Sequence, residues 1–273
     1  MGTIAIVESS LLILQVLIEM MIMMRSARLM KSGENGVFPA FFTFATLSLL
    51  LSTFYAVIFS FLRPNARMPF AVDEIAESAM LLLLSAGLEA LAGKDKKRDL
   101  RAALFAIFFM GANIALWIVW SGEWVQDILF GIPYVYLQYM LIKTMKRTGA
   151  VSGRERALAV IACGALIAMH VAQIYVTEGI IFTLTNVGLY LIEFGMAAWL
   201  FWKTLKALRR KEQSSQEQEG TLALALTVFL WTILVTFMND GWVYEIALAV
   251  YTISLPIPYL AVKRVRREAY DLR

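Results

Sequence analysis

The chain has 273 residues, of which 60% are hydrophobic and 17% charged, with seven Trp, ten Tyr and seventeen Phe. That balance excludes one or two ordinary soluble domains and fits a bilayer, where aromatic rings collect at the interfaces. The net charge of +4 follows from basic loops rather than a nucleic-acid surface; the single Cys163 excludes an intrachain disulfide, and the single His170 excludes any site needing two histidines.

Apolar segments long enough to cross about 30 Å of hydrocarbon fall near 4–24, 37–62, 70–92, 101–120, 124–143, 157–177, 180–202, 221–238 and 242–262. They predict an all-α, polytopic integral membrane bundle of nine transmembrane helices, forming one transmembrane domain over 1–273 with no soluble domain. No basic segment precedes the first run, and Glu8 and Glu19 interrupt it, so a cleavable signal is not expected. The segments 25–36, 93–101, 143–156, 203–220 and 263–273 hold 23 of the 25 Lys and Arg residues, leaving Arg63 and Arg67 on the other side. The positive-inside rule then places the amino terminus outside and the carboxyl terminus in the cytoplasm. The outer connections, near 63–69, 121–123, 178–179 and 239–241, are short enough to tie helices 2–3, 4–5, 6–7 and 8–9 into hairpins. The longest inner loop, Lys203 to Gly220, is basic and then rich in Glu, Gln and Ser over Glu212 to Glu219, so it is expected to extend helix seven and then loosen. Small residues from Ala157 to Ala172, Gly164 among them, predict close packing for helix six.

Helix one carries Glu8, Gln15 and Glu19, seven and four residues apart. At about 100° per residue they lie within about 20° of one line, a polar stripe on an apolar helix. Facing lipid would cost a few kcal/mol, so the stripe is expected to face protein or water. In helix three, Glu74, Ser78, Ser85 and Glu89 fall within about 60° of one another, with Asp73 and Glu77 at the outer edge. Helices one and three are therefore expected to share an interior space. Asp73 and Glu74 also suit a helix start after Pro69, with Arg63 or Arg67 as counter-charges, and Glu89 is close enough to the inner surface to meet Lys94.

Glu193 lies deep in helix seven with no Lys or Arg at its level, and Tyr190 and Asn186 share its face. A buried carboxylate without a cationic partner is either protonated or paired with a bound cation, so Glu193 is the leading candidate for proton or cation coupling; a protonated packing residue is the alternative. His170, in the outer half of helix six with Gln173 and Thr177, is either a hydrogen-bonded packing residue or a proton relay. Trp117, Trp120, Trp124, Tyr134, Trp242 and Tyr244 lie near the outer level. They read as an interfacial belt or as the aromatic wall of a pocket for an amine or quaternary ammonium.

Val-x-acid recurs at Val72–Glu74, Val125–Asp127, Val176–Glu178 and Val243–Glu245, each acid near the outer start of an inward-running helix. Helix-dipole stabilisation accounts for such acids; duplicated hairpins with acids converging on one outward vestibule is the sharper alternative. Pro133, Pro256 and Pro258 are expected to kink or interrupt helices five and nine. The methionines Met20, Met21, Met23 and Met24 lack an accompanying His or Cys and are read as packing or lipid-facing, not as a copper site. No H-E-x-x-H, G-x-S-x-G or P-loop occurs, and no Lys lies mid-helix for a retinal Schiff base, so no catalytic residues, metal or cofactor are expected.

The expected function is handling of a small cationic ligand, ion or proton in an acidic–aromatic intramembrane cavity by a transporter-like protein, with Glu193, Glu19, Glu8, Gln15, Glu77 and Glu74 as coupling candidates. The alternative is a membrane-embedded sensor or accessory subunit that binds a ligand or partner helices without transport. A prokaryotic cytoplasmic membrane is the expected location, given minimal loops and no Asn-x-Ser/Thr sequon; the bilayer is the expected partner and nucleic acid is not.

Overall fold

A computed structural model describes residues 3–31, 37–62, 72–92, 98–149, 151–209, 216–236 and 241–271. These form ten helices: α1 (Thr3–Lys31), α2 (Val37–Leu62), α3 (Val72–Ala92), α4 (Leu100–Ser121), α5 (Trp124–Arg147), α6 (Gly153–Tyr175), α7 (Gly179–Arg209), α8 (Gln216–Thr236), α9 (Trp242–Ser254) and α10 (Pro256–Asp271). Among the described residues, nine helical stretches are long and apolar enough to cross a membrane, the last running through α9 into α10. α1 outruns its expected length, reaching Lys31, because good helix formers carry the backbone past the apolar run, and α7 continues past its apolar run to Arg209, as expected for the start of the longest loop.

Neighbours follow one another as α1, α2, α3, α5, α4, α6 and α7, with α8 against α7, α5, α9 and α10, and α1 against α9 and α10. α8 is the centre. From Glu219 to Leu234 every residue is buried, and the run Leu222–Leu226 contains nothing larger or more polar than leucine. Beyond Gly220 its polar side chains are Thr221, Thr227, Thr232 and Thr236, besides the Trp231 indole, so it offers no charged face, and neighbours cover it on every side. α1, α4 and α6 instead keep exposed Ile, Leu, Val and Phe along their outer faces, such as Leu104, Ile107, Phe108, Leu158 and Ile161.

The tight turn between α4 and α5 depends on Gly122, whose φ of 75° is open to glycine and whose N–H closes onto the Ile118 carbonyl. Pro133 does not interrupt α5, which runs through it with the ring buried among neighbours. The break falls instead at Leu255–Pro256, where Pro256 occupies the first position of α10, the place in a helix where a missing N–H costs nothing.

Charge gathers at one end. There Lys146 pairs with Asp99, Lys203 with Glu155 at 2.5 Å, Arg147 donates to the Leu91 carbonyl at 3.2 Å, and Arg264 donates to the Ala207 and Leu208 carbonyls at 3.0 and 2.6 Å. The last two arginines satisfy carbonyls that helix ends leave without an intrahelical donor. Arg63, Arg67, Pro69, Lys94, Asn239, and Glu212 of the longest loop lie outside the described residues.

Candidate functional site

The polar stripe of α1 turns inward, as its cost in lipid requires: Gln15 is buried, Glu19 is fully buried and Glu8 is half-buried. Gln15 faces a cavity of about 200 Å³ walled by α1, α2, α3, α5, α8 and α9. Its chemistry-bearing lining is Gln15, Ser52, Thr53, Glu77, Tyr134, Trp231, Thr232 and Tyr251. A smaller void of about 20 Å³, sharing Leu49, Met80 and Trp231 with the first, holds Glu19 beside Thr46 and Pro258. That is room for one water-sized group.

Hydrogen bonds fix the wall. Tyr134 donates its hydroxyl to Glu77, Thr53 donates to Glu19 at 3.1 Å, Gln15 donates to Thr252 at 2.8 Å, Gln138 to Thr232 at 2.7 Å, and the Trp231 indole to Ser254 at 2.6 Å. The Trp231 and Tyr251 rings meet at 5.3 Å with a 53° tilt, and Trp117 stands edge-on to Tyr134 at 5.7 Å. Tyr251 lies within electrostatic reach of both Glu19 and Glu77. The second oxygen of Glu19 is buried and has no hydrogen-bond partner among the described residues. Among the described residues, no Lys, Arg or His lines either space. The result is a small acceptor-rich, aromatic chamber with carboxyl groups at its wall and no lining cation among the described residues.

Several expected site residues lie elsewhere. Glu193 is fully buried with both oxygens unpaired among the described residues, but it lines neither space. Its helix packs on α6 and α8 and contributes no residue to the chamber lining. Asn186, on the same helix, accepts from Gln173 of α6; Tyr190 and His170 are half-buried in that same α6–α7 region. The aromatic set divides as well. Tyr134 is in the chamber wall and Trp117 backs it, while Trp120, Trp124 and Trp242 are 84%, 61% and 56% exposed on the outside of the bundle. Tyr244 sits in reach of Glu8, which also reaches Glu245.

The Val-x-acid acids do not form one vestibule. Glu74 accepts from Gln126, Asp127 accepts from Ser121 at 2.5 Å within its own turn, Glu178 is exposed, and Glu245 is buried near Glu8. Ser85 spends its hydroxyl on the Leu81 carbonyl, and exposed Glu89 accepts from Tyr136 at 2.9 Å. Met20, Met21 and Met24 are exposed, and among the described residues no group of three His, Cys, Asp or Glu could hold a metal.

Sequence reading missed Thr53, Trp231, Thr232 and Tyr251. Threonine in an apolar helix commonly bonds its own backbone, as Thr53 also does to Leu49, so it gives no signal of its own. Trp231 and Tyr251 are each followed by a threonine, Thr232 and Thr252, in largely apolar runs, and hydroxyls that can bond their own backbone mark no face as inner. The chain matches no family model, no curated protein and no solved structure.

Proposed function

We propose that the protein is a multi-pass integral membrane protein, amino terminus outside and carboxyl terminus cytoplasmic, that takes a small protonated amine into the Glu77 chamber and carries it across a prokaryotic cytoplasmic membrane. No enzymatic chemistry is part of this reading. The observation that carries it is Glu77 and the Trp231–Tyr251–Tyr134 wall in one space, with Glu19 in an adjoining void and no lining cation among the described residues. A carboxylate supplies the counter-charge, and ring faces stabilise an ammonium by about 0.5–2 kcal/mol when water is excluded. Spare acceptors favour an amine with N–H groups over a quaternary ammonium, and 200 Å³ limits it to a few heavy atoms. The break at Leu255–Pro256, with Pro258 at the edge of the Glu19 void, supplies a place where one wall can move.

The test is thermal unfolding of the detergent-purified protein against ammonium, methylamine, putrescine and tetramethylammonium, beside Glu77→Gln and Glu193→Gln. A primary amine is expected to raise Tm in wild type and Glu193→Gln and to leave Glu77→Gln unmoved; a ligand at a hundred times its Kd stabilises by about 2.7 kcal/mol. Equal protection of Glu77→Gln would overturn the assignment. Uptake into sealed vesicles then separates transport from sensing: binding without flux makes the chamber the input of a membrane-embedded sensor.

A further inference from the structure

A second cavity, about 420 Å³, opens at the basic end of the bundle and shares no residue with the Glu77 chamber. Its mouth is formed by the start of α4, the end of α5 and the start of α6, which bring Arg101, Lys146 and Arg156 together. Its interior is apolar, with Phe105, Trp199 and Phe229 as the largest walls and Cys163 at depth. From Gly153 to Cys163 the α6 wall runs ten residues, about 15 Å at 1.5 Å per residue.

The charges at this mouth are unequal. Lys146 is committed to Asp99, and the nearby Glu155 is committed to Lys203, which lies 6.0 Å over the Trp199 ring. Arg101 and Arg156 have no carboxylate partner among the described residues. The starts of two helices, α4 and α6, also point their positive ends at the same opening. Two arginines without a carboxylate partner among the described residues therefore rim a largely apolar cavity.

We infer that this cavity binds one anionic amphiphile, its carboxylate or phosphate head held between Arg101 and Arg156 and its hydrocarbon tail laid along α6 toward Cys163, Trp199 and Phe229. The two guanidinium groups offer forked donors suited to either head. The tail is recognised by burial alone, so affinity is expected to rise about fourfold per added methylene until the slot is filled. The site stands apart from the amine chamber and does not depend on it.

Bromine quenches indole fluorescence at contact, which makes Trp199 the reporter. The detergent-purified protein would be titrated with a bromine-tagged fatty acid, its methyl ester, a bromine-tagged phosphatidic acid and a bromine-tagged phosphatidylcholine. Saturable quenching by the anionic probes is expected, with that component lost in Trp199→Phe. Arg101→Gln with Arg156→Gln should weaken the anionic probes about tenfold or more and leave the ester unchanged. Both arginines are exposed, so the paired variant keeps the wild-type Tm. Saturation by the fatty acid alone identifies a free acid, and saturation by phosphatidic acid identifies a bilayer lipid. Equal quenching by ester and acid, or quenching that never saturates, overturns the inference.

Discussion

Glu77 and Glu193 are the same side chain in comparable apolar helices, and their surroundings make them opposites. Glu77 accepts the Tyr134 hydroxyl at a cavity wall, whereas Glu193 is enclosed with neither oxygen bonded among the described residues. A buried polar group left unpaired costs about 1–3 kcal/mol. Glu193→Leu should therefore raise Tm, while Glu77→Leu, which orphans the Tyr134 hydroxyl, should lower it by a comparable amount; thermal unfolding of the two variants side by side decides. Asp99 offers a separable case outside the spans. Its carboxylate caps α4 at the Ala102 N–H and binds Lys146, and that ammonium, with the capping N–H groups, holds its pKa below the ordinary 3.8. Because the folded value is the lower one, the stabilisation is present above the ordinary pKa and fades as pH falls through the depressed one. Asp99→Asn keeps the cap and loses the charge, so it should cost well under 1 kcal/mol, whereas Asp99→Ala loses both and should cost about 1–2 kcal/mol. Melting near neutral pH should rank the three, and the gap between wild type and Asp99→Asn should close only below pH 3.8.

At the scale of elements, α8 decides the packing. It meets α10 closely at Gly220, where an added Cβ would lie 2.8 Å from a Val265 methyl carbon and 3.0 Å from the Ala261 carbonyl oxygen. Backbone cannot yield as a side-chain tip can, so Gly220→Ala should push α10 away and lower Tm. Gly111 of α4 has nothing within 4 Å of that position. Gly111→Ala should be neutral or stabilise by up to about 1 kcal/mol through helix propensity. Equal effects of the two substitutions would contradict the packing described. Length and apolarity made these helices legible as elements, and the charge of its stripe made the buried face of α1 legible too. Proline was legible only in part: Pro256 ends a helix, while Pro133 is carried inside one, because buried neighbours hold α5 together on both sides of it.

For the whole molecule, the pairing of basic side chains with the ends of α3, α5 and α7 puts the positive charge on one end of the bundle. In a Cys163→Ala background, a single cysteine at Thr177 should react with a membrane-impermeant maleimide in intact cells, and one at Arg154 only after permeabilisation. The reverse pattern would invert the proposed orientation. The interior acids belong to separate compartments: Glu19 and Glu77 to adjoining spaces, Glu193 to the α6–α7–α8 region, and Glu8 with Glu245 to the acidic end.

The sequence by itself determined the helices, the segregation of basic loops and the inward turn of the α1 stripe, because each follows from a local cost: backbone groups and charges that lipid will not solvate. Only the tertiary structure decided which polar faces meet. Ranking buried acids by depth along the chain singles out Glu193, but depth is a one-dimensional quantity, and whether two carboxylates share a cavity depends on which helix fills the middle. That helix is α8, whose buried Thr227 and Thr232 also bond their own backbone, and a helix marked by so little polarity leaves almost no periodic trace of the partners it will hold apart.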